Sequence, residues 1–214
     1  MIIRPRSYLS DRFKWKPFKW DVQRNDQYSG SGDGRVWQAQ LAPPLWRATV
    51  EHRRMLNTEA EQMDAAIRAL RGAEQAFLLA SPLFCGPKRD PAGTIHGDRL
   101  VTISSISSSR DVISLSGLPG GYRLTMGDKL SVRYWVSPDL YYFGEISADV
   151  TASGGGVASS VQVFPRLPSG VVPANPVVLI KPVCKVIIVP GSYKVGTVDG
   201  RFTAGGKFDV IQKK

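Results

Sequence analysis

The stretch LWRATVEHRRMLNTEAEQMDAAIRALRGAEQAFLLA, residues 45–80, joins two strand patterns through one helix pattern. From residue 46 to residue 53, apolar side chains alternate with polar ones, which is typical of a strand with one buried face. That face would hold Trp46, Ala48, Val50 and His52. The apolar run from Gln75 to Ala80 predicts the second strand. We therefore expect a helix that covers a sheet.

The helix is predicted from Thr58 to Arg71. Thr58 and Glu61 fit the S/T-x-x-E capping box, in which each side chain accepts a hydrogen bond from the other's backbone N–H. Gly72 supplies the C-terminal stop. Apolar residues fall on one face at helical spacing, namely Met63, Ala66, Ile67 and Leu70.

Downstream of this stretch, turn chemistry and short strands indicate a second β unit. The passage Leu83 to Gly97 is rich in glycine and proline and predicts an exit from one domain into another. Strand patterns then recur roughly ten residues apart, which suggests a small barrel or sandwich. They are Arg99–Ile106, Asp111–Ser116, Lys129–Trp135, Leu140–Val150 and Val157–Phe164, and strand character resumes at Val177–Ile180 and Val183–Val189.

This order of elements predicts a mainly β chain with an inserted domain. The outer domain, a β-sandwich or barrel with one covering α-helix, would comprise residues 25–92 and 177–214. The inserted small β-barrel would comprise residues 93–176. Residues 1–24 would form a separate basic and aromatic arm.

Composition excludes several classes of protein. The 214 residues carry a formal net charge of +10 with two cysteines and two histidines. Cys85 and Cys184 are too few for a secreted disulfide scaffold, so we expect free thiols. No local pairing of Cys and His predicts a zinc site. The apolar stretch Pro176–Pro190 is interrupted and too short to cross roughly 30 Å of hydrocarbon, and no secretory signal is evident. We expect a soluble protein made in a reducing cytoplasm, without a membrane partner, metal or cofactor.

The N-terminal arm has two interpretations. It holds seven lysine and arginine residues against Asp11 and Asp21, with aromatic residues between them. Such a segment could stack bases while its cations neutralise phosphates. Alternatively it is a strand whose aromatic residues pack on a core while the charges face water. The alternation of the two residue types favours packing.

Catalytic signals are weak. His52 is predicted to be a packed or interface histidine, and His96 with Asp98 alone makes no metal site. Cys85 has cations nearby but no partner base, and Cys184 is predicted to be a small core residue. No nucleophile elbow, zinc-protease or P-loop motif occurs. We therefore predict that the chain is not an enzyme.

A basic chain with terminal arms is suited to assembly with neighbours, because arms order when another subunit receives them. We expect the aromatic residues of the arm to make inter-subunit contacts. The complete set of interface candidates is Lys14, Trp15, Lys16, Phe18, Lys19, Trp20, His52 and Arg54.

Short aromatic and glycine-based motifs occur in a set order from Val36 to Val189. They are Trp37-x-Ala39-x-Leu41, Pro43-Pro44-x-Trp46, Leu70-Arg71-Gly72, Phe77-Leu78-Leu79, Pro91-Ala92-Gly93-Thr94, Leu124-x-x-Gly127-Asp128, Tyr141-x-Phe143 and Val161-x-Val163-Phe164-Pro165-Arg166-Leu167. This order resembles the distal tail proteins of long-tailed bacteriophages, which are adaptors of the tail tip or baseplate hub.

The resemblance implies a structural virion protein at the tail tip, assembled in the host cytoplasm. It implies a homo-oligomeric ring, usually a hexamer, that joins the tail tube protein to the hub or central fibre proteins. The outer domain would be the tail-hub domain and form the ring wall, with its helix outside the sheet. The inserted barrel would point outward to adjoining tail-tip or side-fibre proteins.

Further expectations follow from the resemblance. Trp37, Trp46 and Phe77 would pack inside the hub domain. Because DNA would adhere to a cationic arm that lined a conduit, we expect the arm to face an acidic neighbouring protein instead. Without residues 1–20 the chain should remain a folded monomer that cannot join the tail. The C-terminal segment from Gly191 to Lys214 would extend past the last strand and form its own hairpin on a partner.

Two alternatives stay open. The first is a single-stranded nucleic-acid-binding protein, with an OB-like barrel and the basic arm as its clamp. The second is another ring protein of the tail, in the tube or at its completion.

Overall fold

The computed structural model describes residues 2–30, 32, 34–136 and 139–214. In this part of the chain the fold is mainly β, with one α-helix, α1 (Asn57–Ala69), and one 3-10 helix (Arg6–Tyr8), which confirms the predicted mainly β class with a single α-helix. The strands are β1 (Ile3–Arg4), β2 (Asp21–Gly30), β3 (Val36–Glu51), β4 (Met55–Leu56), β5 (Ala76–Leu79), β6 (Val101–Ile106), β7 (Val112–Ser116), β8 (Arg123–Leu124), β9 (Lys129–Val136), β10 (Asp139–Ile146), β11 (Val150–Thr151), β12 (Ala158–Phe164), β13 (Pro176–Val178), β14 (Cys184–Ile188), β15 (Thr197–Asp199), β16 (Phe202–Ala204) and β17 (Lys207–Gln212).

The chain ends and its N-terminal third build one sheet. Its strand order is β1-β5-β14-β17-β3-β2. The pair β1–β5 is parallel and the other pairs are antiparallel. The apolar face of α1 shares one hydrophobic core with this sheet, as the helical spacing predicts. The core includes Trp46, Val50, Met63, Ile67, Phe77, Leu79, Val186, Phe208 and Val210.

A closed barrel lies between β5 and β14 in the chain. The described strands follow one another around it in the order β10-β12-β7-β6-β13-β9. These six strands differ from the five of an OB fold. The barrel has its own core, which includes Val101, Ile103, Ile113, Leu115, Leu130, Val132, Ile146, Val161 and Val163. Its last strand is β13, so the barrel runs past the predicted boundary at residue 176, and the sheet resumes at Cys184.

The start of α1 differs from the predicted capping box. The helix begins one residue before Thr58, and the Glu59 carboxylate accepts from the Leu56 backbone N–H (3.3 Å). The Asn57 amide instead donates to the Gly200 carbonyl (3.0 Å). The Asn57 side chain therefore bonds to a hairpin that is distant in the sequence. The local sequence does not predict this contact. The helix ends at Ala69, earlier than predicted, because the left-handed backbone begins at Arg71 (φ 51°) and continues at Gly72 (φ 65°).

The C-terminal segment is also different from its prediction. Strands β15 and β16 form a hairpin, but this hairpin pairs with β4 of the same chain. Strand β17 lies inside the sheet, between β14 and β3. The segment thus completes the fold and does not extend beyond it.

Strand β3 joins the two cores through Trp46. This side chain is 2% exposed, and its Nε1 donates to the Phe143 carbonyl of the barrel strand β10 (2.8 Å). Its ring makes edge contacts with Phe143 and Phe164 at centroid distances of 5.5 and 6.2 Å. The ammonium of Lys129 lies 4.7 Å from the Trp46 ring centroid. One indole therefore fixes the barrel against the sheet.

We predict that Trp46→Phe lowers the free energy of unfolding by about 1–3 kcal/mol, because the Phe143 carbonyl would lose its buried donor. Urea denaturation of the purified protein measures this change. The matched control is Trp37→Phe at an exposed position, which should stay within about 0.5 kcal/mol of wild type. Equal effects of the two substitutions would contradict the junction role of Trp46.

Candidate assembly surfaces

The aromatic residues of the N-terminal segment are core residues. Phe13, Trp15 and Phe18 are buried in the sheet core, which confirms that the aromatic residues pack. They do not lie on the expected strand, because residues 9–20 form only an isolated bridge between Trp15 and His52. Trp15 Nε1 donates to the Ser10 carbonyl (3.1 Å), and the Ser81 hydroxyl donates to the Phe18 carbonyl (2.9 Å). The prediction that Trp15 and Phe18 contact other subunits is therefore wrong, because neither side chain reaches the surface.

Trp20 is half-buried where the sheet meets the barrel, and its ring centroid lies 5.2 Å from that of Phe143. Strand β1, in the same segment, pairs with β5. Residues 1–20 are thus part of the sheet domain. Removing them would take buried side chains out of the core, so the structure argues against a folded monomer after this truncation.

The cations of the segment do lie at the surface. Lys14, Lys16 and Lys19 are exposed, and Lys16 Nζ pairs with Glu51 at 2.5 Å. The Arg53 guanidinium donates to the Trp15 carbonyl (3.0 Å). These lysines remain candidates for contact with an acidic surface.

His52 is fully buried and has a structural role. Its Nε2 accepts from the Gly206 backbone N–H (2.9 Å), so Nδ1 carries the proton and donates to the Arg53 carbonyl (2.7 Å). The packed alternative for His52 is confirmed and the interface alternative is wrong. Arg54 stacks over the Phe202 ring at 4.2 Å and pairs with Asp199 at 3.7 Å, so it contacts the C-terminal hairpin.

The hairpin arm, residues 25–42 of β2 and β3, is the largest departure from prediction. Strand β17 pairs with β3 only over residues 47–51, so among the described strands only β2 pairs with this part of β3. Pro43 and Pro44 were expected to separate two segments, but β3 continues through them opposite an irregularity in β2. Exposed apolar residues crowd the arm: Tyr28 (65%), Val36 (71%), Trp37 (67%) and Leu41 (69%).

Both faces of the arm are apolar. Successive strand residues point to opposite faces, so Trp37 and Leu41 share one face while Val36 lies on the other. Trp37 was predicted to pack in the core, as Trp46 and Phe77 do, and for Trp37 that is wrong. The adjacent pair Val36-Trp37 was the available signal, because a sheet with one buried face needs only every second residue to be apolar.

A cleft of about 670 Å³ separates the base of the arm from the barrel. We call it the seam cleft. Aromatic and proline side chains dominate its lining, and its charged residues are Arg24, Asp111, Arg166 and Lys214. The Ser109 hydroxyl donates to Asp111 and holds the pKa of that carboxyl below its usual value. The other lining residues used below are Pro43, Pro44, Tyr134, Tyr141, Tyr142, Phe143, Phe164 and Pro165.

The candidate chemical residues lie apart from the seam cleft. Cys85 is exposed beside a smaller pocket of about 280 Å³, which Lys14 and Lys181 also line. Cys184 is a buried core residue, as predicted, and burial raises the pKa of its thiol well above the usual value. Within the described ranges, no three His, Cys, Asp or Glu residues are placed to hold a metal ion.

The connection from β5 to the barrel is organised around a buried carboxylate. Asp90 accepts from the backbone N–H groups of His96 (2.8 Å) and Ile95 (3.2 Å) and from the Tyr122 hydroxyl (3.2 Å). Burial acts to raise the pKa of Asp90, but these hydrogen bonds outweigh it, so the pKa lies below its usual 3.8. Burial and the Asp90 carboxylate raise the pKa of Tyr122, which keeps its hydroxyl a donor. The His96 backbone is therefore held by Asp90, and its ring Nδ1 lies 2.8 Å from the Gly97 carbonyl.

No family model matches this chain, and no curated protein matches it either. None of the helices in the described residues is long and apolar enough to cross a membrane.

We predict that Gly206→Ala destabilises the protein by about 1–3 kcal/mol through overpacking. An added Cβ would lie 2.5 Å from His52 Nε2 and 2.9 Å from the Gly196 backbone nitrogen. Thermal unfolding measures the loss. Gly154→Ala is the control, since a Cβ there meets no atom within 4 Å, and an equal loss in both variants would contradict the packing role of His52.

We predict that Asp90→Asn destabilises the protein at neutral pH and that the difference from wild type shrinks in acid. The lowered pKa of Asp90 means that the folded state favours the carboxylate, so its contribution is complete above the usual value of 3.8 and is lost as pH falls through the folded value. Urea unfolding across this pH range tests the prediction. The exposed Asp98→Asn variant should follow wild type, and a pH-independent Asp90→Asn difference would contradict it.

Proposed function

We propose that this chain is a structural virion protein of the phage tail tip, which forms a homo-oligomeric ring between the tail tube and the hub or central fibre proteins. In this proposal the six-stranded sheet with α1 is the tail-hub domain, and the barrel is the inserted domain that faces adjoining tail proteins. The resemblance of the ordered motifs from Val36 to Val189 supports the proposed family, and the hairpin arm is the proposed means of assembly.

The exposed apolar side chains of the hairpin arm carry the proposal. A two-stranded ribbon is marginally stable in water when nothing packs on it. Aromatic residues such as Trp37 and Tyr28 are enriched at the centres of protein interfaces. An arm that exposes apolar side chains on both faces is therefore suited to a position between neighbouring subunits.

In the proposed ring the arm contacts the next subunit. Its receptor there is a different surface of the same chain. Contacts between unlike surfaces are head-to-tail, and they produce a closed ring when the rotation closes. The proposed assembly role therefore requires only a matching shape and apolar contacts between subunits.

The ring is tested with Trp37→Glu. We expect the wild-type protein at high concentration to form closed rings of one diameter in negative-stain electron microscopy. The variant should stay monomeric, because a carboxylate would be buried at the subunit contact. Its circular dichroism should equal that of wild type, since Trp37 is exposed.

Val198→Glu is the matched control, because Val198 is an exposed apolar residue outside the arm. It should assemble as wild type does. Wild-type protein that remains monomeric at millimolar concentration, or Trp37→Glu rings identical to wild type, would contradict the ring. Antibody labelling of tailed particles tests the location: label at one tail end supports the tip, and label along the tail indicates a tube protein.

A further inference from the structure

We infer that the seam cleft binds an extended, acidic segment of a partner protein by adding a strand to the free edge of β10. This inference does not depend on ring formation through the hairpin arm. It follows from the backbone pairing, the lining and the charges of the cleft.

The pairing of β10 with β12, which closes the barrel, is short. These strands pair at Glu145–Phe164 and Ile146–Val163, whereas β9 pairs with β10 from Asp139 to Glu145. Past Phe164 no strand pairing with β10 continues, although the Tyr142 hydroxyl of β10 donates to the Pro165 carbonyl (2.6 Å). The Arg110 guanidinium donates to the carbonyls of Leu167, Pro168 and Val171 at 3.0, 2.5 and 2.6 Å, which holds this segment on the far side of the seam.

The free edge of β10 presents backbone groups to the cleft. The Phe143 carbonyl points away from β9, because it accepts from Trp46. Alternate residues of a strand direct their backbone groups to the same side, so the N–H and C=O of Tyr141 and the N–H of Phe143 also face the seam. A strand edge of this kind is the template that binds an extended peptide in β-augmentation.

The walls of the cleft suit the side chains of such a peptide. Tyr134 and Tyr141 line one side, and Pro43 and Pro44 of β3 line the other. The two prolines have no backbone donor, so this wall offers apolar contact and leaves strand pairing to β10. A volume of about 670 Å³ accommodates a few side chains of an extended segment.

The charge of the lining selects an acidic segment. Three of the lining residues are cations and one is an anion. Arg24 already pairs with Asp26 at 2.7 Å, and the charge of Arg166 also acts on the Asp111 carboxylate of the lining. Lys214, with the remaining part of the Arg166 charge, is therefore the main attraction for a partner carboxylate. The net charge of +10 on the whole chain adds to the attraction for an acidic segment.

A nucleic acid fits the cleft less well. Its affinity comes from many phosphate contacts along a basic track, and the aromatic residues of the N-terminal segment, which would have extended such a track, are buried. The unpaired N–H and C=O groups of β10 match a peptide backbone. We therefore assign the cleft to protein.

The test uses a labelled peptide of alternating glutamate and valine, with a lysine–valine peptide of the same length as control. Fluorescence anisotropy with the full chain should show the glutamate peptide binding at least about tenfold more tightly. Arg166→Glu should weaken that binding by about tenfold or more. Lys19→Glu removes an exposed cation that does not line the cleft and should stay within about twofold of wild type.

Hydrogen exchange by NMR distinguishes strand addition from simple charge attraction. The peptide should protect the amide of Tyr141, which is partly exposed in the free protein, whereas Phe143 is only 1% exposed before any peptide binds. Equal binding of both peptides, unchanged binding by Arg166→Glu, an unprotected Tyr141 amide or no binding at millimolar peptide would each overturn the inference. Displacement of the peptide by oligothymidylate of equal length would also overturn it and assign the cleft to nucleic acid.

Discussion

The buried indole of Trp46 is the contact on which the rest of the structure depends. It gives its hydrogen bond to the barrel strand β10 while its backbone belongs to the sheet. The strand that carries it, β3, does four things along its length: it pairs with β17, joins the two cores, forms a wall of the seam cleft and extends into the hairpin arm. A change in the direction of β3 at Trp46 would therefore move both the hairpin arm and a wall of the seam cleft.

Elements with a local pattern were predictable from the sequence. The helix α1 has apolar residues at helical spacing and a glycine after its last turn, and its bounds shift only by two residues at the C-terminal side and one at the start. The alternation around Trp15 and Phe18 identified a packed segment, because side-chain period reports burial whatever the partner is. The barrel strands were recognised because turn residues lie between them.

Elements that depend on distant partners were not predictable. Trp37 and Trp46 both lie in apolar-rich runs, yet only Trp46 has β17 and the barrel beside it. Its backbone N–H donates to the side chain of Gln212, 166 positions away, and no local pattern reports such a partner. For the same reason the sequence assigned β13 to the sheet and β17 to a partner, although each has the strand character that was expected. The seam cleft was not predicted because it forms where β12 stops pairing with β10. The residue types at that point do not indicate that the pairing stops.

The strands nearest the two ends of the chain, β1 and β17, lie in the sheet, so the proposed assembly would use preformed surfaces instead of disordered arms. Disordered arms that fold on a neighbour lose conformational entropy at the moment of binding, and the sequence suggested arms of that kind. In the structure β1 and β17 are already paired and the aromatic residues near the N-terminus are already packed. The candidate surfaces for partners are the hairpin arm and the seam cleft, both of which are already formed in the single chain. Preformed surfaces lose less entropy on association, so modest apolar and charged contacts would be enough to hold the proposed ring together.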